Sequence, residues 1–380
     1  MIIKKIRLKN WKNFRSAETA LTERVYLIGP NASGKSNFLD AIRFLRDIAH
    51  PKSGGLLRAL DDRGGLTKIR CLAARREPEV ELEIELAENW DSPAEWRYLL
   101  ALRNEGKGAN RVLVHREQAF HFNVQKLDRP ELADKKDPAR LTQTALEDTR
   151  ANAAFRPIAE FLQSITYLHL VPQMIQHAEK IGGFRVNFDP FGQSFLERIA
   201  ATSEKTRTSR LKRISKTLKI CVPFLDELEF VKDPVSGRPH LRARYAHWRP
   251  NGGFQQESQF SDGTLRLLGL MWVLLEGGTV LLLEEPELSL DDAIVARIPE
   301  LLREMQRNAR TRPQVILTTH SEILLHNVDG SEVRRLEVSK EGTKIKSADD
   351  NECISLKAGF SPAEVMLPKV HPDAKNLSLF

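Results

Sequence analysis

The sequence predicts an α/β fold with a mixed central sheet, and three segments support this prediction. Each is a short apolar run, typical of a buried strand, that leads into polar residues. Val25–Ile28 leads into Gly-Pro-Asn-Ala-Ser-Gly-Lys-Ser, Val280–Leu283 into Glu-Glu-Pro-Glu, and Val315–Leu317 into Thr-Thr-His-Ser. The polar residues that follow these three strands are therefore the first candidates for a functional site.

Composition indicates a folded globular protein. The 380 residues are 41% hydrophobic and 29% charged, which excludes intrinsically disordered and fibrous chains. Three widely spaced cysteines predict neither a disulfide framework nor a zinc site. The most apolar stretch, Leu265–Leu283, is interrupted by Glu276 and two glycines, so it is too short to span a bilayer. We expect a cytoplasmic protein, and the net charge of +7 slightly favours a polyanionic partner.

The first polar segment, Gly29–Ser36, matches the pattern G-x-x-x-x-G-K-[ST] between a predicted strand and a predicted helix. We call it the phosphate loop. Its glycines allow backbone N–H groups to converge on phosphate oxygens, and the start of the helix adds a positive dipole end. The ammonium of Lys35 can reach the β- and γ-phosphates, and the hydroxyl of Ser36 can bind Mg²⁺. The residues predicted to hold ATP here are Gly29, Pro30, Asn31, Ala32, Ser33, Gly34, Lys35, Ser36 and Asn37.

The second polar segment begins with two acids, Glu284 and Glu285, at the carboxyl end of a predicted buried strand. We predict that Glu284 holds Mg²⁺, directly or through water, because this ion prefers oxygen ligands. We predict that Glu285 is the general base that polarises the attacking water. Aspartate is more usual at the first position, so the distance to the metal must absorb the additional methylene of Glu284.

A further candidate element is a helix that begins near Ser261. Serine is a favoured N-cap residue, and Leu265, Leu268 and Trp272 follow at helical spacing. The Ser-x-Gly sequence at this helix start resembles the signature of ABC-type ATPases. The resemblance implies that Ser261 and Gly263 contact the γ-phosphate of an ATP molecule held by a second subunit.

The motifs in this order resemble the RecF/SMC/OLD branch of ABC-type ATPases, and Ile6–Phe14 resembles the first strand of RecF- and SMC-type heads. The combination of the sequences Glu-Glu-Pro-Glu and Ser-Asp-Gly-Thr is most similar to that of small prokaryotic AAA-21 and AAA-15 ATPases. The resemblance implies a P-loop NTPase of the ABC-ATPase head type, with an antiparallel β lobe and a helical lid insertion. It also implies a homodimer with ATP sandwiched between the subunits, in which His320 contacts the γ-phosphate and orients the catalytic water.

The domain boundaries follow from these motifs and from local patterns. Residues 79–86 alternate between acidic and apolar side chains, which predicts a half-exposed strand of the antiparallel lobe. No heptad pattern is sustained, so a long coiled-coil arm is not expected. We predict an N-terminal lobe at 1–150, a helical lid at 151–250, a C-terminal lobe at 251–345 and a tail at 346–380.

Three other features are candidates for the site or for a partner surface. Gln173 ends a Leu-Val-Pro-Gln segment that resembles a Q-loop, and Arg15 precedes the phosphate-loop strand as a candidate contact for the base or phosphates. A run of basic residues at 205–219 predicts either non-sequence-specific DNA contact or a solvated helix face. Its candidate DNA contacts are Lys205, Arg207, Arg210, Lys212 and Arg213.

Three functions compete for this chain. The first is the ATPase or sensor subunit of an anti-phage defence system with a separate effector, a nuclease or toxin. The second is a RecF-like DNA-repair ATPase that binds DNA, and the third is the ATP-binding subunit of an ABC transporter. The signature and the acidic segment favour the defence ATPase, whereas the sequence of the phosphate loop disfavours the transporter subunit. The residues after His320 lack the spaced acids of OLD-type nucleases, so the effector is expected to be a separate polypeptide.

Overall fold

The computed structural model describes residues 1–51, 54–74, 76–106, 111–178, 191–246, 253–308 and 312–370. These residues form two units. The first unit contains Met1–Thr166, Gly278–Leu282 and Thr311–Phe380, and the second contains Tyr167–Gly277 and Leu283–Arg310. Within the described ranges, no helix is both long enough and apolar enough to cross a membrane.

The strands and helices are numbered in chain order. The strands are β1 Ile2–Trp11, β2 Phe14–Ala20, β3 Arg24–Ile28, β4 Val80–Ala87, β5 Trp96–Asn104, β6 Val112–His121, β7 Val124–Arg129, β8 Thr166–Leu168, β9 Leu225–Lys232, β10 Pro239–Tyr245, β11 Gln255–Gln256, β12 Val280–Glu284, β13 Gln314–Thr318, β14 Val333–Glu337 and β15 Lys344–Lys346. The helices are α1 Lys35–Ala49, α2 Gly55–Asp61, α3 Leu66–Ile69, α4 Leu132–Lys136, α5 Arg156–Gln163, α6 Pro172–Gln176, α7 Phe195–Ala201, α8 Glu204–Cys221, α9 Asp262–Glu276, α10 Asp292–Val295, α11 Ile298–Asn308, α12 Glu322–Leu325, α13 Asp350–Lys357 and α14 Pro362–Val365.

The antiparallel lobe of the first unit is a six-stranded sheet in the order β2-β1-β4-β5-β6-β7. A strand, β4, is present as predicted at 79–86, but two acids of its acidic face, Glu81 and Glu83, are buried rather than exposed to solvent. Arg7 and Arg97, on the two neighbouring strands, lie 3.6 Å and 3.7 Å from the carboxylate of Glu83. Arginines from adjacent strands therefore cover a face that appears solvent-exposed when β4 is considered alone.

The central sheet has the order β15-β14-β3-β13-β12-β8. Strand β3 is parallel to β13 on one side and to β14 on the other. Val25–Ile28 is fully buried, as expected for strands with both faces covered. Because parallel strands end at the same edge of a sheet, the carboxyl ends of β3 and β13 lie side by side in the first unit.

The second unit combines helices with a small sheet. Helix α8 packs on β9, which pairs with β10 in an antiparallel three-stranded sheet with β11. Helices α5 to α8 lie within residues 151–250, the predicted lid, although α5 belongs to the first unit, and the sheet of β9 and β10 was not predicted. Its strands carry an alternating pattern around Leu228 and Leu241, which are both buried. Among the described helices α8 is the longest, with 18 residues.

A buried charge cluster fastens α1 to the segment that follows α2. The carboxylate of Asp40 lies 2.8 Å from Arg63 and 2.6 Å from Lys12, and Arg63 also lies 2.8 Å from Asp47. Burial acts to raise the pKa of Asp40, but Arg63 and Lys12 outweigh it and lower that pKa to about 2. Asp40 therefore stabilises the folded first unit in its ionised form.

Asp40→Asn is expected to lower the free energy of unfolding at neutral pH by about 3 kcal/mol, because it leaves buried cations without their counter-charge. The folded-state pKa lies below the unfolded value, so this stabilisation is present above about pH 4 and is lost as the pH falls towards 2. Urea unfolding at about pH 7 and about pH 3 measures the free energy of unfolding of the wild type and of Asp40→Asn. The difference between the two free energies should be smaller at the lower pH. A difference that is independent of pH would contradict the assignment.

The matched control is Asp62→Asn. Asp62 is exposed and pairs with Arg58 across one helical turn. An exposed pair of this kind is expected to contribute less than about 0.5 kcal/mol.

Candidate functional site

The phosphate loop has the backbone conformation that its glycines predict. It leaves β3 after Ile28, and Gly34 adopts a φ of 103° immediately before α1 begins at Lys35. A Cβ atom on Gly29 would lie 2.6 Å from the hydroxyl of Ser33, and one on Gly34 would lie 3.0 Å from Asn13. Both positions therefore require glycine, and the loop forms a concave backbone surface next to the start of a helix.

Lys35 is folded onto the loop that it follows. Its ammonium group donates to the carbonyl oxygens of Gly29 at 2.9 Å and Pro30 at 3.2 Å, and the side chain is only 6% exposed. Ser36 and Asn31, in contrast, are exposed. The positive charge of Lys35 thus lies within the loop, while the Ser36 hydroxyl stands in the first turn of α1.

Two residues that the sequence analysis missed hold the loop in place. Asn13 donates its side-chain amide to the carbonyl of Ala32 at 3.0 Å, and Thr343 donates its hydroxyl to the carbonyl of Ser33 at 2.8 Å. Asn37 in turn donates to the side-chain oxygen of Asn13. Asn13 lies within the segment that resembles an SMC-type first strand, which is a signal for its role, whereas no local pattern marks Thr343.

A cleft of about 730 Å³ adjoins the loop within the first unit. Asn13 and Asn37 line it on the loop side. The cationic residues in its lining are Lys12, Lys68, Arg70 and Lys340. The cleft therefore places several cationic side chains next to the loop.

His320 and Arg15 occupy different positions relative to the loop. Thr318 pairs with Leu27 in the parallel register, so His320 and Gly29 each lie two residues beyond this pair on neighbouring strands. His320 is exposed at that strand end. The guanidinium of Arg15 lies 3.4 Å from Glu77, so the contact that the structure describes for Arg15 is an ion pair within the antiparallel lobe.

In the second unit, the predicted metal ligand Glu284 and the predicted general base Glu285 lie at the end of β12. Glu284 is its last residue and accepts a hydrogen bond from the phenol of Tyr167 on β8. Glu285 follows with a φ of 43°, a left-handed conformation that is unusual for a residue other than glycine. Such strain persists only where the surrounding structure imposes it, and it concentrates at functional sites.

The signature helix α9 begins as predicted at the N-cap Ser261. The hydroxyl of Ser261 accepts a hydrogen bond from the backbone of Thr264 at 3.2 Å, and Ser261 itself is exposed. A Cβ atom on Gly263 would lie 2.5 Å from the carbonyl oxygen of Ser289. Gly263 is therefore required within the subunit for contact between α9 and the turn after β12.

Gln173 contacts this same helix start. It donates to the carboxylate of Asp262 at 2.6 Å, and Gln176, also on α6, donates to the carbonyl of Phe260 at 2.8 Å. Arg266, one helical turn further along α9, has a pKa lowered by burial, which Asp262 and Glu285 oppose. In the second unit the structure thus brings α6, the signature helix and the acidic segment into one cluster.

The residues present fit a nucleoside triphosphate with Mg²⁺. The loop offers a tight turn in which Gly29 and Gly34 leave no room for side chains, together with a buried ammonium group. Mg²⁺ is usually held by one or two protein oxygens together with phosphates and water. Ser36, in the first turn of α1, supplies a hydroxyl of this kind.

The AAA_21 family, described as "AAA domain, putative AbiEii toxin, Type IV TA system", matches residues 25–326. The chain belongs to this family. The AAA_21 match covers every predicted motif from the phosphate loop to His320. A second family, described as the P-loop containing region of AAA domain, matches residues 3–46. No curated protein is significantly similar in sequence to this AAA_21 chain.

Solved structures of Smc head domains share its fold. An Smc head bound to the C-winged helix domain of ScpA is 18% identical over 93% of this chain and 100% of its own, with a TM-score of 0.56. An Smc head with an extended coiled coil, bound to the C-terminal domain of ScpA from Pyrococcus furiosus, is 14% identical over 94% and 98%, with a TM-score of 0.55. An Smc head with a coiled coil and joint from Pyrococcus yayanosii is 14% identical over 93% of this chain and 98% of its own, with a TM-score of 0.51. The predicted fold, an ABC-type P-loop ATPase head, is confirmed.

Proposed function

We propose that this AAA_21 protein hydrolyses ATP as a homodimer with two composite sites and passes the conformational change to a separate effector. The phosphate loop carries the proposal, because its glycine cradle and the buried ammonium of Lys35 form a site for a polyphosphate. Lys35 and Ser36 bind the nucleotide. Mg²⁺ held by Ser36 and Glu284 supplies positive charge that stabilises the transferring phosphoryl group.

The remaining residues act on water and on the γ-phosphate. The carboxylate of Glu285 accepts the proton of the attacking water, and the imidazole of His320 orients that water. Ser261 and Gly263 contribute the N-terminus of α9 to the nucleotide of the partner subunit. The exposure of Ser261 supports this arrangement, because an exposed capping hydroxyl is accessible to a second copy of the chain.

Ser261→Arg is expected to abolish ATP hydrolysis while the monomer still binds ATP, because the exposed position accepts a larger side chain within the subunit but the substitution removes the hydroxyl proposed to contact the γ-phosphate of the partner's nucleotide. Mixing this variant with Lys35→Ala should restore about a quarter of the wild-type rate, since half of the dimers are mixed and each has one intact composite site. Steady-state ATPase assays of the two variants, alone and mixed, measure this recovery. Gly263 is unsuitable for the test because a side chain there would collide with Ser289 within the same subunit.

Ser361→Arg is the matched control. Ser361 is likewise an N-cap residue that accepts a hydrogen bond from the backbone three residues on. Loss of this cap is expected to cost about 1 kcal/mol of stability without affecting hydrolysis. A mixture of Ser261→Arg and Lys35→Ala that remains inactive would contradict a signature that acts on the partner's nucleotide.

We infer that the effector belongs to an anti-phage defence system. The description of the AAA_21 family as a putative AbiEii toxin supports this role. The test is capture from the native host of tagged Glu285→Gln protein with ATP, with and without nuclease. Lys35→Ala, which is expected to bind ATP much more weakly, is the control. A stoichiometric second protein retained only by Glu285→Gln, and resistant to nuclease, supports a defence subunit with a separate effector.

A RecF-like repair ATPase is the second candidate, favoured by the basic surface of α8. Lys205, Lys212 and Arg213 are exposed there. Arg207 and Arg210 instead lie over the rings of Phe230 and Trp272, at 4.2 Å and 5.2 Å. The free basic surface is therefore smaller than the sequence pattern indicates. Capture of DNA alone, lost on nuclease treatment, would favour this second function over the first.

A further inference from the structure

Glu284, the first acid of the acidic segment, has a hydrogen-bond partner on β8, the strand next to β12 in the sheet. Tyr167 lies in the short strand β8 with only 5% of its surface exposed, and its phenol donates a hydrogen bond to one carboxylate oxygen of Glu284. Both residues belong to the second unit. Glu284 is itself half-buried at the end of β12.

This hydrogen bond restricts the side chain of Glu284, which is more flexible than the aspartate that is more usual at this position. Glutamate has one more rotatable bond, so an unrestrained Glu284 carboxylate samples more positions and loses more conformational entropy when it binds a metal ion. A buried tyrosine is held by its packing and has few rotatable bonds of its own. A hydrogen bond from such a group restricts the carboxylate before any ligand arrives.

We propose that Tyr167 is a positioning residue for Glu284, which it holds in the orientation that binds the divalent cation of the nucleotide complex. The inference rests on the proposed function, in which Glu284 is a ligand of Mg²⁺. Tyr167 acts through the glutamate and takes no part in the chemical step. The tyrosine–glutamate pair compensates for the longer side chain at a position where aspartate is more usual.

A second tyrosine–glutamate pair in the chain shows how a purely structural pair differs. Tyr98 donates to Glu117 at 2.9 Å, and both side chains are fully buried in the first unit. Glu117 also accepts hydrogen bonds from the backbone of Ala145 and Leu146, at 2.7 Å and 3.0 Å. Burial raises the pKa of Glu117. That carboxylate is enclosed by protein donors, whereas Glu284 is half-buried at a strand end.

The test is Tyr167→Phe, with Tyr98→Phe as the control for loss of a buried phenol. Mn²⁺ is titrated into each protein in the presence of a non-hydrolysable ATP analogue and followed by EPR. Tyr167→Phe should weaken Mn²⁺ binding by about tenfold, the usual effect of losing a residue that orients a metal ligand. The Mg²⁺ concentration for half-maximal hydrolysis should rise similarly, while kcat at saturating Mg²⁺ falls less than about threefold. Tyr98→Phe should lower the melting temperature and leave the metal dependence unchanged.

A double-mutant cycle separates a positioning role from a general loss of structure. If the phenol acts through the carboxylate, Tyr167→Phe has no further effect on Mn²⁺ affinity in the Glu284→Ala protein. Equal Mn²⁺ affinities of wild type and Tyr167→Phe, with clear metal dependence in both, would overturn this inference alone. Nucleotide binding by the wild type with no dependence on Mn²⁺ would overturn the metal role of Glu284 in the proposed function, and the inference with it.

Discussion

Glu285→Gln is expected to lower the rate of ATP hydrolysis by about 10²–10⁴-fold, the usual contribution of a general base, while ATP binding remains intact. Glutamine has nearly the same size and keeps an acceptor oxygen, but it cannot take a proton from water. Its backbone can occupy the same left-handed conformation, with a φ of 43°, at no greater cost. The variant should therefore accumulate as an ATP-bound dimer.

Two measurements check this result together. Phosphate release reports the rate, and size-exclusion chromatography with ATP reports the dimer, which should persist in the variant and dissociate in the wild type. Glu304→Gln, at an exposed position of α11 in the same unit, is the matched control for loss of a carboxylate. Hydrolysis by Glu285→Gln at the wild-type rate would refute the role of Glu285 as the base.

Lys35→Ala should weaken ATP binding by at least about 100-fold, because two charge-assisted hydrogen bonds to phosphate oxygens contribute about 1.5–3 kcal/mol each. The ammonium of Lys35 is already held over the loop by the carbonyls of Gly29 and Pro30. Little reorganisation is therefore needed when the phosphates bind. Removing the side chain deletes the positive charge at the centre of the cradle, and no other residue of the loop carries one.

Equilibrium binding of a fluorescent ATP analogue measures this affinity. Lys344→Ala, which removes an exposed lysine from β15 of the same unit, controls for the change in net charge. Circular dichroism and melting temperature establish that Lys35→Ala is folded. Binding within threefold of the wild type by a folded Lys35→Ala protein would contradict the assignment of the phosphate loop.

Sequence reasoning succeeded where one element and its ends carry the pattern. The strand at Val25–Ile28, the turn at Gly34 and the capped helix at Ser261 each depend on backbone sterics or on hydrogen bonds between near neighbours. It was incomplete where the partner is distant in sequence. The acidic face of β4 is covered by arginines of adjacent strands. The small sheet of β9 and β10 was not predicted, because its short alternating runs follow a basic helix.

In the candidate site, too, the residues of the motifs were predictable from the sequence, whereas the residues that hold them were not. The loop, the two acids and the capped helix are motifs, so their chemistry follows from residue types at short spacing. The residues that hold them do not form motifs. Thr343 contacts Ser33 from 310 residues away, and Tyr167 contacts Glu284 from 117 residues away. Each is a common residue without a local motif, and only the contact between distant segments of the chain reveals its role.

Local sequence was sufficient to establish the class of this protein as a P-loop ATPase head, because phosphate binding depends on a short run of glycines, a lysine and a helix start. Tertiary structure decided which partners restrain those groups. It placed Gln173 on Asp262 of the signature helix, Arg15 on Glu77, and Gly263 against Ser289. The physical reason is that a hydrogen bond or close contact between distant segments depends on how the whole chain packs, and no local periodicity encodes it.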